Sequence, residues 1–188
     1  MNKSLESLHA EVATECSRGV TFILAASIYW TGVGVAGAWL PPNTAFIASV
    51  WGTGLLFPLS LIIAKLSGIN IFFKNALTPL GVWANIFQVF FFPIFYLSAK
   101  ENIGYPPVIM GVLAGAHFVF YHWLYRSRTY LILTFALVIN SYLTALFFLD
   151  NAYVVGGFSN GILLMLGVGG LVLENRASEK INHQIQLQ

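Results

Sequence analysis

The sequence predicts an all-α protein, a polytopic membrane bundle of six transmembrane helices with both termini on the cytoplasmic side. Three observations carry that expectation. Only 9% of the 188 residues are charged and 57% are hydrophobic, whereas a soluble domain is roughly 25% charged. Six stretches reach the length of about 20 apolar residues that a helix needs to cross a bilayer. The basic residues, finally, gather on one side of the membrane once those stretches are laid out.

The first stretch covers 19–40 and stops at Pro41-Pro42-Asn43. The second covers 44–65 and the third 77–99. The fourth, 106–125, opens with Pro106-Pro107, and proline suits a first helical turn because that turn has no hydrogen-bond donor to lose. The fifth covers 129–149 and the sixth 152–173. This divides the chain into a cytoplasmic segment 1–18, a transmembrane domain 19–173 and a cytoplasmic tail 174–188. An amino-terminal cytoplasmic location puts Lys3, Arg18, Lys65, Lys74, Arg126, Arg128, Arg176 and Lys180 inside and leaves Lys100 alone outside. Such a bias is the positive-inside rule, and it supports segmentation and orientation together. The expected location is therefore a cell membrane, crossed six times. Trp39, Tyr96, Tyr105 and Tyr153 fall at the outer ends, and Trp83, Trp123, Tyr125 and Tyr130 near the inner ones, as interfacial aromatics do.

Composition excludes several classes. A formal net charge of +2 is far from the basic footprint of a nucleic-acid binder. One cysteine rules out a disulfide framework and a cysteine-rich metal centre. Segment 1–18 carries Glu6, Glu11 and Glu15 and precedes an apolar run too long for a signal-peptide core. Its Leu5, Leu8 and Val12 recur at helical spacing, which predicts a short amphipathic helix capping the inner end of the bundle. Cys16 lies at the membrane edge, where acylation is possible chemistry, but an inert small residue is the better account of it.

Inside the spans, small residues mark helix contacts, because lipid leaves no hydrophobic force to press helices together. Gly111 with Gly115 and Gly157 with Gly161 are spaced for such contacts, and Gly34 with Ala38 is a weaker version. Pro58 and Pro93 each remove a backbone bond, from the carbonyls of Gly54 and Val89, and predict kinks in the second and third helices.

Polar groups at depth carry what functional information there is, since each needs a partner in hydrocarbon. Gln88, His117, Asn140 and Asn160 fall near the midplane of four different helices, with Asn85 about a turn away. Tyr121 is four residues beyond His117 and shares its face, whereas His122 is rotated away towards Arg126. We expect these groups to meet in one polar layer. That layer is either a hydrogen-bond lock that fixes helix register or the lining of a site for a small polar ligand or a proton. The ligand-binding or proton-relay candidates are thus His117, Tyr121, Gln88, Asn140, Asn160 and Asn85. No carboxylate lies at that depth, which argues against an ion-coupled pump. The pattern contains no His-x-x-x-His, so neither a metal nor any other cofactor is implied.

Gly157-Phe158-Ser159-Asn160-Gly161 matches a nucleophile motif, but that motif works at a strand-to-helix turn and here lies inside a spanning helix. Rhomboid-type intramembrane proteases share six helices, a Gly-x-Ser motif and a histidine base; there the histidine follows the serine, whereas His117 precedes Ser159. The reading accordingly leans away from an enzyme. It favours small-molecule binding or transport through a midplane polar site, with a non-catalytic accessory or structural subunit as the alternative and an intramembrane enzyme third. The bundle is expected as a monomer or a small homo-oligomer, with the lipid bilayer as its first partner.

Arg18-Gly19, Tyr29-Trp30, Phe57-Pro58 with Ala64-Lys65, and Gly115-Ala116-His117-Phe118 running into Trp123-Leu124-Tyr125-Arg126-Ser127 resemble a family of small bacterial membrane proteins with a domain of unknown function. The resemblance extends over almost the whole chain. It implies a bacterial inner-membrane setting and brings no activity or catalytic residue with it.

Topology is directly testable. A cysteine at Lys74, or a reporter fused after Gln188, should report the cytoplasm, and cysteines at Asn102 or Asn151 the exterior. Labelling of position 74 by an impermeant reagent in intact cells would invert the charge argument and with it the helix map.

Overall fold

The structure is a computed structural model that describes residues 3–186, and every regular element among them is helical. A surface helix α1 (Leu5–Glu15) leads into α2 (Val20–Trp39), α3 (Pro42–Ser67), α4 (Thr78–Glu101), α5 (Tyr105–Tyr125), α6 (Arg128–Phe147) and α7 (Ala152–Gln186). The last six are long and apolar enough to cross a membrane. Their ends agree with the sequence expectation to within about two residues, except that α7 runs on well past Leu173. The outer surface is that of a lipid-facing bundle: Trp51, Leu66, Phe90 and Phe147 are each more than two-thirds exposed, at 76%, 82%, 71% and 71%. A water-soluble domain rarely presents such continuous apolar surface.

The kinks fall where proline predicts them. A tight 3-10 turn occupies Thr53–Leu55 in α3, just ahead of Pro58, and another occupies Gln88–Phe91 in α4, ending two residues before Pro93. The missing donor leaves those turns to close with shorter-range bonds.

Four helices form the core. α2 packs along α7, α7 along α6, and α6 along α5, while α3 lies outside on α2 and α4 outside on α5. In the most apolar stretches of α3 and α4 only 11% and 6% of residues are buried, against 33–44% in the other four spans. The small-residue faces make the core contacts. A methyl group on Gly157 would lie 2.5 Å from the Gly34 Cα, and one on Gly34 would lie 2.9 Å from the Phe158 ring. Ser27 of α2 donates to the Gly161 carbonyl of α7 at 2.8 Å, a backbone approach that a larger residue at 161 would block. Gly115 does the same work between α5 and α6, where an added Cβ would lie 2.9 Å from Val138 and 3.0 Å from the Thr134 carbonyl. Gly34 is partnered in this seam by Gly37, which faces Tyr153, and the expected Ala38 is exposed; the spacing that matters on α2 is three, not four.

α1 tucks under the end of the bundle that carries both described termini. Ser4 caps it, its hydroxyl accepting from the Ser7 amide at 3.2 Å. Its buried face differs from the expected one: His9, Val12 and Ala13 are buried, whereas Leu5 is 54% exposed. The helix docks against the end of α5, where His9 Nδ1 donates to the Leu124 carbonyl at 2.8 Å, and this bond rotates Leu5 outward. The α3–α4 loop closes over it from the other side, Asn75 donating to the Leu8 carbonyl at 3.1 Å and to the Glu11 carboxylate at 3.2 Å.

Gly157→Ala should destabilise the detergent-solubilised protein by about 1–3 kcal/mol through overpacking, read by thermal or denaturant unfolding. Gly169→Ala is the matched control, since its added methyl meets no atom within 4 Å, and it should leave stability unchanged or slightly raised, because alanine favours helix over glycine. Equal effects at both positions would remove the α2–α7 seam from its central place.

Candidate functional site

The polar layer expected at the midplane divides in two. On one side, Asn140 of α6 donates through Nδ2 to Asn160 Oδ1 and to Ser159 Oγ of α7, each at 2.8 Å. Asn160 is fully buried. Ser159 in turn donates to the Val155 carbonyl at 2.6 Å, so its hydroxyl is held within its own helix and paired with Asn140, not with His117. Gly111 of α5 completes this knot, because a Cβ there would come within 2.9 Å of Asn160 Nδ2 and would collide with Ser141 Oγ. Three helices therefore converge at Gly111, Ser141 and Asn160 with no room to spare.

His117 belongs to a different group. It follows Gly115 by two positions, about 200° round the helix, and Gly115 faces α6. The imidazole accordingly turns to the opposite side, towards α4. Its ring meets Tyr121 edge-on, with centroids 4.8 Å apart. Tyr121 Oη accepts from Asn85 Nδ2 of α4 at 2.6 Å and donates to the Gly81 carbonyl at 3.3 Å. Asn85 also donates to Gly81, at 2.9 Å. His117, Tyr121 and Asn85 thus form one linked cluster between α4 and α5. Gln88 sits in the 3-10 turn of α4 and joins neither set of bonds. The reason for the division is rotational: depth along the axis was legible, but the glycine seam that faces α5 towards α6 sends His117 to the other flank.

Both groups hold buried polar atoms without a partner, but in different surroundings. His117 Nε2 is buried and has no hydrogen-bond partner among the described residues, and Asn160 Nδ2 and Ser141 Oγ share that state. Asn160 and Ser141 are enclosed by the core, whereas Asn85, next to His117 in its cluster, is exposed on the flank of the bundle. A buried polar atom in hydrocarbon without a partner costs free energy, so these atoms are the ones whose surroundings matter.

At the terminus-bearing end, sequence reasoning missed a third polar network. Glu174 of α7 accepts from the Thr129 amide at 3.0 Å and the Thr129 hydroxyl at 2.9 Å. Its second oxygen lies 3.8 Å from Arg18 Nε, and Arg18 also donates to Ser178 Oγ at 2.7 Å. Asn175 donates to the Ser17 carbonyl at 3.0 Å, and Tyr130 Oη to the Arg18 carbonyl at 2.7 Å. Glu174 had fallen outside the expected last span, which is why the link was not visible. Cys16 is buried, 5% exposed, with its Sγ 3.7 Å from the Asn70 carbonyl oxygen. Burial, with the Glu15 charge adding to it, pushes the thiol pKa up to about 11, so it is a poor nucleophile and packs as a small apolar residue. His122 bonds the Ser127 carbonyl at 2.7 Å through Nδ1, turning at the end of α5 beside Arg126.

A family model described as a family of unknown function (DUF7010) matches residues 5–174. The chain belongs to that family. The match to DUF7010 runs from the start of α1 to Glu174, and so takes in both midplane groups and the contact between α1 and α5. No curated protein and no solved structure is detectably similar to the chain.

The Asn140–Asn160 bond can be weighed by a double-mutant cycle. Asn140→Ala and Asn160→Ala should each lower unfolding stability, and the coupling energy should fall at about 0.6–2 kcal/mol, the range of interhelical hydrogen bonds in membranes. Zero coupling would mean that the two amides are not held together in the membrane-embedded protein.

Proposed function

We propose that this protein is a membrane-embedded binding protein which takes a small polar or amphiphilic molecule from the side, on the face between α4 and α5, with Asn85, Tyr121 and His117 as its polar contacts. The observation that carries this reading is the exposed Asn85 amide, linked through Tyr121 to an imidazole whose Nε2 has no partner. An amide at that level of a spanning helix faces hydrocarbon, where its open oxygen has no water to accept from. A donor brought by a ligand would satisfy it, and a neutral imidazole can serve the same ligand as donor or acceptor. The Asn140–Ser159–Asn160 knot is read as a packing lock, because its groups are enclosed and close on one another. Whether bound molecules also cross the membrane belongs to this proposal only as an extension. In the same reading both termini face the cytoplasm, on the strength of the charge distribution.

A second reading has its own support. α3 and α4 are the least buried spans, which suits an accessory subunit whose α4 face docks on another helix that pairs with Asn85. The two readings differ in what covers one amide.

Native mass spectrometry on the protein purified from its membrane separates them. The binding reading expects a retained small-molecule adduct whose occupancy falls about tenfold in Asn85→Leu and in His117→Leu, the change that one lost hydrogen bond of about 1.4 kcal/mol produces, with melting temperature little altered. His117→Gln should keep most of the adduct, since glutamine retains hydrogen-bonding capacity. Absence of any adduct, with Asn85→Cys cross-linking to another chain, would replace the binding reading by the accessory one. Plain loss of melting temperature in both histidine variants, with no adduct, would make His117 a packing residue.

A further inference from the structure

We infer that the turn between α5 and α6, together with α1, forms a binding site for a phosphate-bearing anion, and that an anionic phospholipid headgroup at the terminus-bearing membrane surface is its natural source. The site is independent of the Asn85 face and lies at the other end of α5. A cavity of about 340 Å³ opens there, lined by Leu5, His9, His122, Trp123, Arg126 and Arg128. Two guanidinium groups and two imidazoles thus surround one space, and no carboxylate lines it. The volume is at the lower end of ligand pockets, which run roughly 300–1,000 Å³, and suits a small headgroup.

The local structure arranges these groups for anion binding. Arg126 ends α5 in the left-handed region at φ 48° and Arg128 begins α6, so a turn of one intervening residue brings the two cations to one rim. Both histidines have Nδ1 against a backbone carbonyl, His9 with Leu124 at 2.8 Å and His122 with Ser127 at 2.7 Å. A carbonyl only accepts, so Nδ1 carries the proton in each ring and Nε2 is left as an acceptor, which suits a hydroxyl of the headgroup, while the phosphate oxygens fall to the arginines. A phosphate oxygen engages two arginines with charge-assisted bonds that ammonium groups cannot match in geometry. Among the described residues the one carboxylate at ion-pair distance from these arginines is Glu6, 3.5 Å from Arg126, with the two side chains exposed at 82% and 57%; such a surface pair is weak and yields readily to a ligand.

Two features favour a lipid over a free anion. Trp123 is 46% exposed and Leu5 54% exposed on the rim, which offers apolar contact to a glycerol backbone and the first methylenes. The cavity also sits where a spanning helix ends, at headgroup depth, where a juxtamembrane cationic pocket meets anionic lipid. A neighbouring cavity of about 270 Å³ shares His9 and Arg126 but is also lined by Glu6, which disfavours an anion there.

The test uses the full chain in detergent, with native mass spectrometry as readout and four probes: dioleoyl phosphatidylglycerol, dioleoyl phosphatidylcholine, glycerol 1-phosphate and inorganic phosphate. Phosphatidylglycerol should bind saturably and phosphatidylcholine should not. Arg126→Gln/Arg128→Gln should weaken phosphatidylglycerol about thirtyfold, roughly fivefold per arginine, while Arg176→Gln, an exposed arginine on the far part of α7, should leave it unchanged. Glu6→Gln removes the competing charge and should raise retention two- to threefold by a rough surface-pair estimate, with Glu179→Gln as the inert control; this variant tests the site even if the double arginine variant folds poorly. Displacement of phosphatidylglycerol by glycerol 1-phosphate or inorganic phosphate at similar concentration would retain the phosphate site but overturn the lipid as its source. Equal retention by the double variant and the unaltered chain, or equal loss in Arg176→Gln, would overturn the site altogether.

Discussion

Two helices in hydrocarbon hold together only as far as their surfaces fit, since lipid competes with side chains on equal terms. The contact that everything else rests on is therefore the one between α2 and α7, where Gly34, Gly37, Gly157 and Gly161 bring two backbones together along most of a span. The Ser27 hydroxyl reaches the Gly161 carbonyl only because neither helix carries a side chain in the way. Since α2 opens the spanning part of the chain and α7 closes it, this seam brings the start of α2 beside residues 174–178 of α7. Arg18 meets Glu174, Asn175 and Ser178 as a consequence of it.

The junction above that seam has a cost. Ser17 and Arg18 both sit at positive φ, 45° and 50°, followed by Gly19 at 69°. Non-glycine residues in this region are strained by about 1–2 kcal/mol each. Bonds made elsewhere offset this: the Arg18 carbonyl accepts from Tyr130, the Ser17 carbonyl accepts from Asn175, and the Arg18 side chain is anchored on α7. The reversal turns the chain from α1 into α2 within three residues, and so allows α1 to lie under the bundle with His9 on the end of α5. A glycine at the third position is required there, because a Cβ would strain the backbone at that φ and would lie 3.0 Å from Tyr130 Oη.

The number of helices, their ends and the two proline distortions were legible in the sequence because each depends on local composition: hydropathy over a window, charge at its ends, a missing amide at Pro58 and Pro93. The faces were less so. Depth along a helix can be counted, but rotation depends on which neighbour a small-residue seam selects, and the sequence does not name the neighbour. Gly111 and Gly115 were readable as a contact face. That this face belongs to α6, and so turns His117 towards α4, was not. The same reasoning explains α1, where Leu5, Leu8 and Val12 suggested a stripe and the bond from His9 to Leu124 set a different one. The Arg18–Glu174 link escaped for another reason, since α7 carries helical structure past the end of its apolar run and brings a carboxylate back to the bundle.

Splitting the polar groups by rotation changes what each can mean. A single midplane layer joining four helices would have been self-satisfying and ambiguous, a lock and a site at once. The structure instead places these polar groups on two faces. Asn140, Asn160 and Ser159 bond one another across α6 and α7, in a space so close that Gly111 cannot carry a methyl group, and a ligand could enter only by breaking the core. Asn85 of α4 is joined through Tyr121 to His117 of α5, a group exposed at the Asn85 end, with the Tyr121 ring also 5.6 Å from Tyr130 of α6. In water an exposed asparagine calls for no explanation, because solvent satisfies it. On a spanning helix no such solvent is at hand, and the Asn85 amide nitrogen turns to Tyr121 Oη and the Gly81 carbonyl, which ties α4 to α5 on that flank.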